Sequence, residues 1–542
     1  MFIHYIMSEY NILSSLEEVQ APMLTRSQPV RIEDSNSQNY SGGEIKFTTA
    51  SLATSDKLYG VSEGVLMIPK KIEITHSANM DTTKANFLLA MKHGTYSSIN
   101  AIKVRMDNKA LCNYTDLTNI YCHFNVLSSY NSTDEINQEL MGFYKDDSAS
   151  YAYEPNASGN GIGECNSQIG DPTNMNVAGL NWAVKRNLGF MKRAKLINYD
   201  EDEVTTKKEF GVAGYAGQNF KSNKSFTGVK VITYNVMLYI KLSDIHDCFR
   251  SMPVVRNPNI QFEMQYHACK STLGTGAGTW TNANSTTVPN HNFCDYQVSS
   301  QTGNAVTIAG TMTITEKIGN DQSKICQLVI PRLEMTPEAE SDYISSMGSE
   351  KLINYTHIEV NQSLQTGSSI NWPINQSLAN MTGFVMLIRL GSNTNALTSS
   401  NAPANYTTDA SPFTSAPNML CSAQLVQNLQ VYVSNVPIYD QPINYNWDMY
   451  VDMVRQKSVN GNGTGSMMNS GFITREDWEA GVYGYIYCKL PESQQRNVDQ
   501  SLKITFNNAK HTQIPCLSLL AFVETRKQYT VDVNSGKIAI IS

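Results

Sequence analysis

The chain has 542 residues, room for about two to four domains, each with its own hydrophobic core. Only 16% of the residues are charged, against about a quarter in ordinary globular proteins, and 28 Tyr and 17 Phe are present. That balance excludes a disordered chain, and a formal charge of −7 argues against a protein built to bind polyanions.

No run reaches the ~18 apolar residues needed to span a bilayer, so no membrane span is expected. Ten cysteines without a CxxC pair read as free thiols of a reducing compartment, and synthesis in a cytosol-like place is expected.

In chain order, residues 1–42 are expected to form an N-terminal arm. Met1–Met7 has neither a basic leader nor a small-residue cleavage site, so no secretory signal is expected. Ile102–Leu127 reads as a strand, a tight turn at Asp107-Asn108, an extended piece and a short helix. Ser148–Asn176 is Gly/Asn-rich and reads as a surface loop. Val229–Leu242 is continuously apolar and predicts a strand buried on both faces. Ile260–Ala268 alternates apolar and polar residues, the period of a half-buried strand. Ser271–Asn304 again reads as loop. Around Pro331–Pro337 two prolines predict the end of a strand and a stiff passage into a second unit.

Beyond that boundary, Thr382–Leu390 and Cys516–Val523 are expected to be strands buried on both faces. Ser392–Asn418 and Val459–Asn469 read as further surface loops, and Asn534-Ser535-Gly536 as a hairpin turn.

The chain also echoes itself. Ile102–Leu127 lies over Leu429–Val454 without a gap at an offset of 327, so Val104 meets Val431 and Asn108 meets Asn435 at the turn. Ile120, Phe124 and Leu127 then meet Trp447, Val451 and Val454, one face of a helix in each half. Tyr239–Leu242 meets Tyr487–Leu490 at an offset of 248, and two strand-like runs follow each. This is duplication of a whole unit; the period is far too long for a solenoid. Two strand-rich units with long loops predict an all-β protein of two tandem eight-stranded jelly-roll β-sandwiches with short helices, the first over 43–335 and the second over 336–542.

The run Val329-Ile330-Pro331-Arg332-Leu333-Glu334-Met335, the strand Leu429–Val433 with its helix Trp447–Val454, and the Trp-bearing acidic stretch Gly471–Gly481 carry a resemblance. In these residues, and in element order from about Gly43 to Ser542, the sequence is similar to the double jelly-roll major capsid proteins of virophages and Polinton-like viruses. The resemblance implies a homotrimeric, pseudo-hexagonal capsomer in the icosahedral shell of a double-stranded DNA virus. The implied partners are neighbouring capsomers, penton and minor capsid proteins, with at most weak non-specific contact with packaged DNA. The virion would be its location, after synthesis in the host cytoplasm or a viral factory.

Candidate chemistry is sparse, and no catalytic, cofactor-binding or metal residue is expected. His246-x-Cys248 and His267-x-Cys269 repeat one spacing and together could supply four zinc ligands, but the spacing is unlike the usual ligand pairings and reads better as unrelated surface or interface side chains. Lys185, Arg186, Lys192, Arg193 and Lys195, with Trp182 and Phe190 between them, would suit nucleic acid. Asp200, Glu201, Asp202 and Glu203 offset that charge and favour a solvated or interface segment. Gly159, Gly161 and Gly163 lack the buried strand and lysine of a phosphate cradle. Glu476-Asp477 after Thr474 reads as a helix first turn, not an acid–base pair. Trp447, Tyr450, Val451 and Val454 read as a stripe plugging the end of their own sandwich, ahead of a partner-binding face. The alternatives to a shell protein are a lectin-like carbohydrate-binding jelly roll and a β-sandwich glycosidase, each expected to show a carboxylate or aromatic constellation that does not stand out.

Overall fold

The computed structural model describes residues 24–40, 43–52, 57–76, 87–91, 95–113, 116–130, 144–145, 151–155, 163–167, 198–200, 230–266, 270–276, 279–282, 296–300, 312–320, 323–347, 350–390, 422–457, 471–479, 483–491, 498–512 and 515–541. In the first half, eight strands carry the architecture: β1 (Leu24–Glu33), β2 (Glu44–Thr48), β3 (Val65–His76), β4 (Ile99–Met106), β5 (Lys109–Cys112), β6 (Lys230–Lys241), β7 (Ile260–Tyr266) and β8 (Gln327–Met335). One sheet has the order β1-β8-β3-β6 and the other β2-β7-β4-β5, all neighbours antiparallel.

The second half repeats the plan with β9 (Lys351–Thr366), β10 (Ser369–Ala379), β11 (Met381–Leu390), β12 (Val426–Val433), β13 (Val436–Pro437), β14 (Ile486–Lys489), β15 (Asp499–Asn508) and β16 (Cys516–Val531). Its sheets run β9-β16-β11-β14 and β10-β15-β12-β13. Adding eight to each strand of the first unit gives the second. Two sheets ordered 1-8-3-6 and 2-7-4-5 are a jelly roll, so the chain is two jelly rolls in tandem.

The two echoes in the sequence fall on equivalent elements. The β4–β5 hairpin turns through Asp107 (φ 49°) and Asn108 (φ 62°), and the β12–β13 hairpin through Ser434 (φ 49°) and Asn435 (φ 66°). Two consecutive positive φ values are the mark of a type I′ turn, whose twist matches that of the strands it joins. Each hairpin leads into a helix, α1 (Thr118–Ser129) and α2 (Trp447–Lys457). The second echo falls on β6 and β14, with β7–β8 and β15–β16 following.

Several expectations need correction. The arm assigned to 1–42 supplies β1, which pairs with β8 from Leu24↔Met335 to Glu33↔Gln327. Pro331 does not end its strand, which runs on to Met335. Its carbonyl accepts the Gly60 N–H at 3.0 Å, so the missing N–H lies on that side and costs the ladder to Pro29 nothing. Pro337 instead opens a helix, Pro337–Met347, where a proline fits the first turn.

The Ser271–Asn304 stretch is not all loop. It contributes to strands Lys270–Gly276, Thr279–Asn282 and Tyr296–Ser300, the first two extending the first sheet beyond Met312–Ile318. Ser148–Asn176 likewise holds a hairpin, Tyr151–Pro155 with Gly163–Ser167. β6 is not buried on both faces: Val236, Leu238 and Ile240 are buried, while Met237, Tyr239 and Lys241 are half-buried. In contrast, β11 from Phe384 to Arg389 and most of β16 from Cys516 to Thr525 are buried without alternation, as expected.

One apolar cluster runs through both sandwiches, and a smaller one joins Leu58 and Leu333 of the first to Val533 of the second through Tyr343 of the Pro337–Met347 helix.

Candidate functional site at the seam between the sandwiches

For a protein whose role would be geometry, the informative site is where the two sandwiches are fixed to each other. Helix α1 holds no Asp, Glu, Lys or Arg, and from Thr118 to Ser128 every residue but Asn125 is buried. A helix without charge and buried on every side belongs between layers. Its far side meets the second unit: the Tyr121 ring lies 5.7 Å from Phe522 on β16, and Phe124 lies 5.1 Å from Tyr485 and 5.9 Å from Tyr487. The His123 ring shares a 2.8 Å hydrogen bond with the Tyr485 hydroxyl. Strand alternation places Phe522 and Glu524 on one face of β16 and Ala521 and Val523 on the other, which accounts for burial on both faces.

At the centre of this contact is a buried ion pair. Lys457, the last residue of α2, donates to Glu524 Oε1 at 2.7 Å, with side-chain exposures of only 7% and 4%. Tyr121 from the first unit donates to the same oxygen at 2.6 Å, and Tyr487 donates to Oε2 at 3.1 Å. The ammonium also donates to Asn125 Oδ1 at 3.0 Å and lies 4.8 Å from the Phe124 ring centroid. Burial on its own would raise the Glu524 carboxyl, but the Lys457 charge and the three donors bring it below its ordinary value. Burial, then the Glu524 charge, push the Tyr121 hydroxyl well up, so it stays protonated and can donate. A buried charge pair holds only when its remaining valences are met, and here donors from both sandwiches meet them.

Around this hub the backbones touch. Phe472 N–H donates to the Leu127 carbonyl at 2.7 Å. Gly471 beside it has φ +74°, and a Cβ there would sit 2.3 Å from the Leu127 oxygen, so both conformation and space demand glycine. Thr474 caps the helix Arg475–Glu479, accepting from Asp477 N–H at 3.2 Å, so Glu476-Asp477 is the helix first turn that the sequence predicts. Asp477 also pairs with Lys145 of the first unit. On α2, Tyr450 and Val454 are buried while Trp447 and Val451 are half-buried. Tyr450 stacks between Trp447 and Trp478, at 5.4 and 5.9 Å, so the stripe covers its own sandwich.

A second contact zone lies at the other end of the seam. Tyr355 on β9 donates to the Leu111 carbonyl at 2.7 Å, and Asp247 Oδ2 accepts from Thr356 N–H at 2.7 Å. Arg256 pairs with Glu340, and its N–H donates to Val533 at 2.8 Å. Lys109 donates to the Ile538 carbonyl in the hairpin after β16. Here too lie Cys112, His246 and His357, all buried, with one donor atom from each within 4.8 Å of the others.

Of the sequence candidates, His246 therefore joins a cluster, but with partners other than those its spacing suggested. Cys248 is buried and its N–H donates to His246 Nδ1 at 3.1 Å, while His267 and Cys269 lie outside the described residues. The basic group Lys185, Arg186, Lys192, Arg193 and Lys195 also lies outside them, as do Gly159 and Gly161, while Gly163 opens a strand. Gly60-Val61-Ser62-Glu63-Gly64 spells GxSxG, yet Ser62 sits in a 3-10 turn between two strands and not on the strand-to-helix elbow that hydrolase chemistry requires. Lys457, Glu524 and Tyr121 were not legible as a set, because nothing in a sequence marks residues 67 and 403 positions apart as one hydrogen-bonded group.

No family model matches the chain, and no curated protein matches it. Among solved structures, it is similar to a chain of the Sputnik virophage solved by cryo-EM at 3.5 Å, with TM-score 0.50 and 11% identity over 97% of this chain and 90% of that one. The mavirus major capsid protein gives TM-score 0.45 and 10% identity over 97% and 92% of the two chains. The Faustovirus major capsid protein gives 0.44 and 10% over the same shares. With so little identity, what is shared with the Sputnik chain is the fold alone, the double jelly roll.

Proposed function

We propose that this chain is the major capsid protein of an icosahedral double-stranded DNA virus, a structural protein without catalysis, found in the virion. The observation that carries the reading is the same eight-strand order built twice and locked along a buried seam. Two equal sandwiches per chain give six per trimer, so three chains can present a nearly hexagonal outline and tile a shell. The sequence resemblance to virophage and Polinton-like capsid proteins and the fold shared with the Sputnik chain both support this assignment. We draw the first unit from Leu24 to Met335, because β1 pairs with β8, and the second from Thr336 onward. Neighbouring capsomers, penton and minor capsid proteins are the expected partners. Contact with packaged DNA is weak and non-specific, in keeping with a charge of −7.

Negative-stain microscopy combined with mass measurement of the purified protein tests the reading. Particles of pseudo-hexagonal outline at three times 60.2 kDa are expected. A stable 60.2 kDa monomer at every concentration would count against it.

A further inference from the structure

We propose that Cys112, His246 and His357 form a metal site, suited to zinc, that ties the two sandwiches together. The donors come from three segments: Cys112 ends β5, His246 lies between the short helices Leu242–Ile245 and Asp247–Arg250, and His357 is on β9 of the second unit. All three are buried, and their donor atoms converge within 4.8 Å. One thiol and two imidazoles make a borderline-soft donor set, the chemistry of zinc and not of calcium or magnesium.

A second observation points the same way. His246 Nε2 and His357 Nδ1 are both buried with no hydrogen-bond partner. Buried polar atoms are nearly always satisfied, so an orphan ring nitrogen on each histidine of the cluster leaves a valence that a ligand would fill. His357 is already set for it: its other nitrogen, Nε2, faces Glu359 Oε1 at 3.2 Å, which fixes the proton there and leaves the Nδ1 lone pair free. That is the carboxylate–histidine–metal arrangement by which outer groups orient a ligand.

His246 is set differently. Its Nδ1 accepts the Cys248 N–H at 3.1 Å, which in the neutral ring puts the proton on Nε2. Binding through Nε2 would move that proton to Nδ1 and give up the amide bond. The Cys112 thiol, now 3.4 Å from the Asn113 carbonyl, would lose its proton to solvent on binding as thiolate. Three protein donors leave the fourth tetrahedral position to water. The inference does not depend on the capsid reading, since it concerns the seam within one chain.

The test uses the full-length protein purified without chelator or affinity metal, with zinc measured by mass spectrometry. The stripped protein is then titrated with Co²⁺. About one zinc per chain is expected, together with a thiolate-to-cobalt charge-transfer band and strong visible bands of tetrahedral cobalt. Cys112→Ser and His357→Asn should each lower bound metal at least tenfold and abolish the charge-transfer band, with assembly state checked by mass. Should those variants fail to fold, the cobalt spectrum of the unaltered chain decides alone. Absence of the charge-transfer band, or equal metal in the unaltered chain and in folded variants, would overturn the proposal.

Discussion

Helices α1 and α2 occupy the same place in the two jelly rolls, yet their surroundings differ. Each follows a type I′ hairpin, and the offset of 327 sets Phe124 against Val451 and Tyr121 against Asp448. α1 is wedged between sandwiches and carries no charged side chain, whereas α2 buries one face and turns Asp448 to solvent. Duplication thus supplied the element, and position in the chain decided its use. The buried copy became the joint, and the flanking copy contributes its last residue, Lys457, to the ion pair there.

Substitutions can break or sharpen that contrast. The largest effect is expected from Glu524→Gln, which strands the Lys457 charge in the seam at a cost of about 3–5 kcal/mol. Denaturant unfolding of the assembled protein would measure it, and pairing the change with Lys457→Met should recover much of the loss. Phe124→Ala should cost about 3–5 kcal/mol, against less than about 1 kcal/mol for Val451→Ala at the matched, half-buried position. Equal losses from that pair would mean that the helices are not used differently.

Gly471→Ala should cost at least about 1–3 kcal/mol, since it adds a clash with the Leu127 carbonyl to an unfavourable φ. The control Gly367→Ala has a positive φ but open space, and its melting temperature should fall less. Acid offers a milder probe. The folded Glu524 carboxyl lies below its ordinary 4.5, so its contribution is complete above that pH and is lost as pH falls through the folded value. Melting temperatures of the unaltered chain and Glu524→Gln should therefore converge as the pH falls through the folded Glu524 value. The smallest effect is expected from Arg475→Ala in the exposed pair with Glu479, which should leave the melting temperature unchanged.

What could be read from the sequence was whatever repeats locally. The turns at Asp107-Asn108 and Ser434-Asn435, the helices behind them and the alternation of β7 are near-neighbour patterns, and all stand in the structure. Strands Lys270–Gly276 and Thr279–Asn282 were missed because a Gly- and Thr-rich stretch has loop composition, while their pairing comes from distant segments. β6 read as buried on both faces because apolar side chains on its half-buried face carry no sign of what covers them. The seam itself was illegible, since Tyr121 meets Glu524 across 403 positions, and Cys112, His246 and His357 share no short spacing.

The strand order also dictates a timetable. In each jelly roll the eighth strand, β8 or β16, is synthesised long after the first and slots into the middle of its sheet, between the first and third. Val30 must find Ile330, 300 residues later, which at roughly 5–20 residues per second of translation leaves β1 waiting about 15–60 s for its neighbour. Closing so long a loop is slow, and until it closes β1 and β3 both present bare edges to any passing chain. A nascent polypeptide cut short before Gln327 would keep those edges permanently, and would be expected to aggregate where the finished chain assembles.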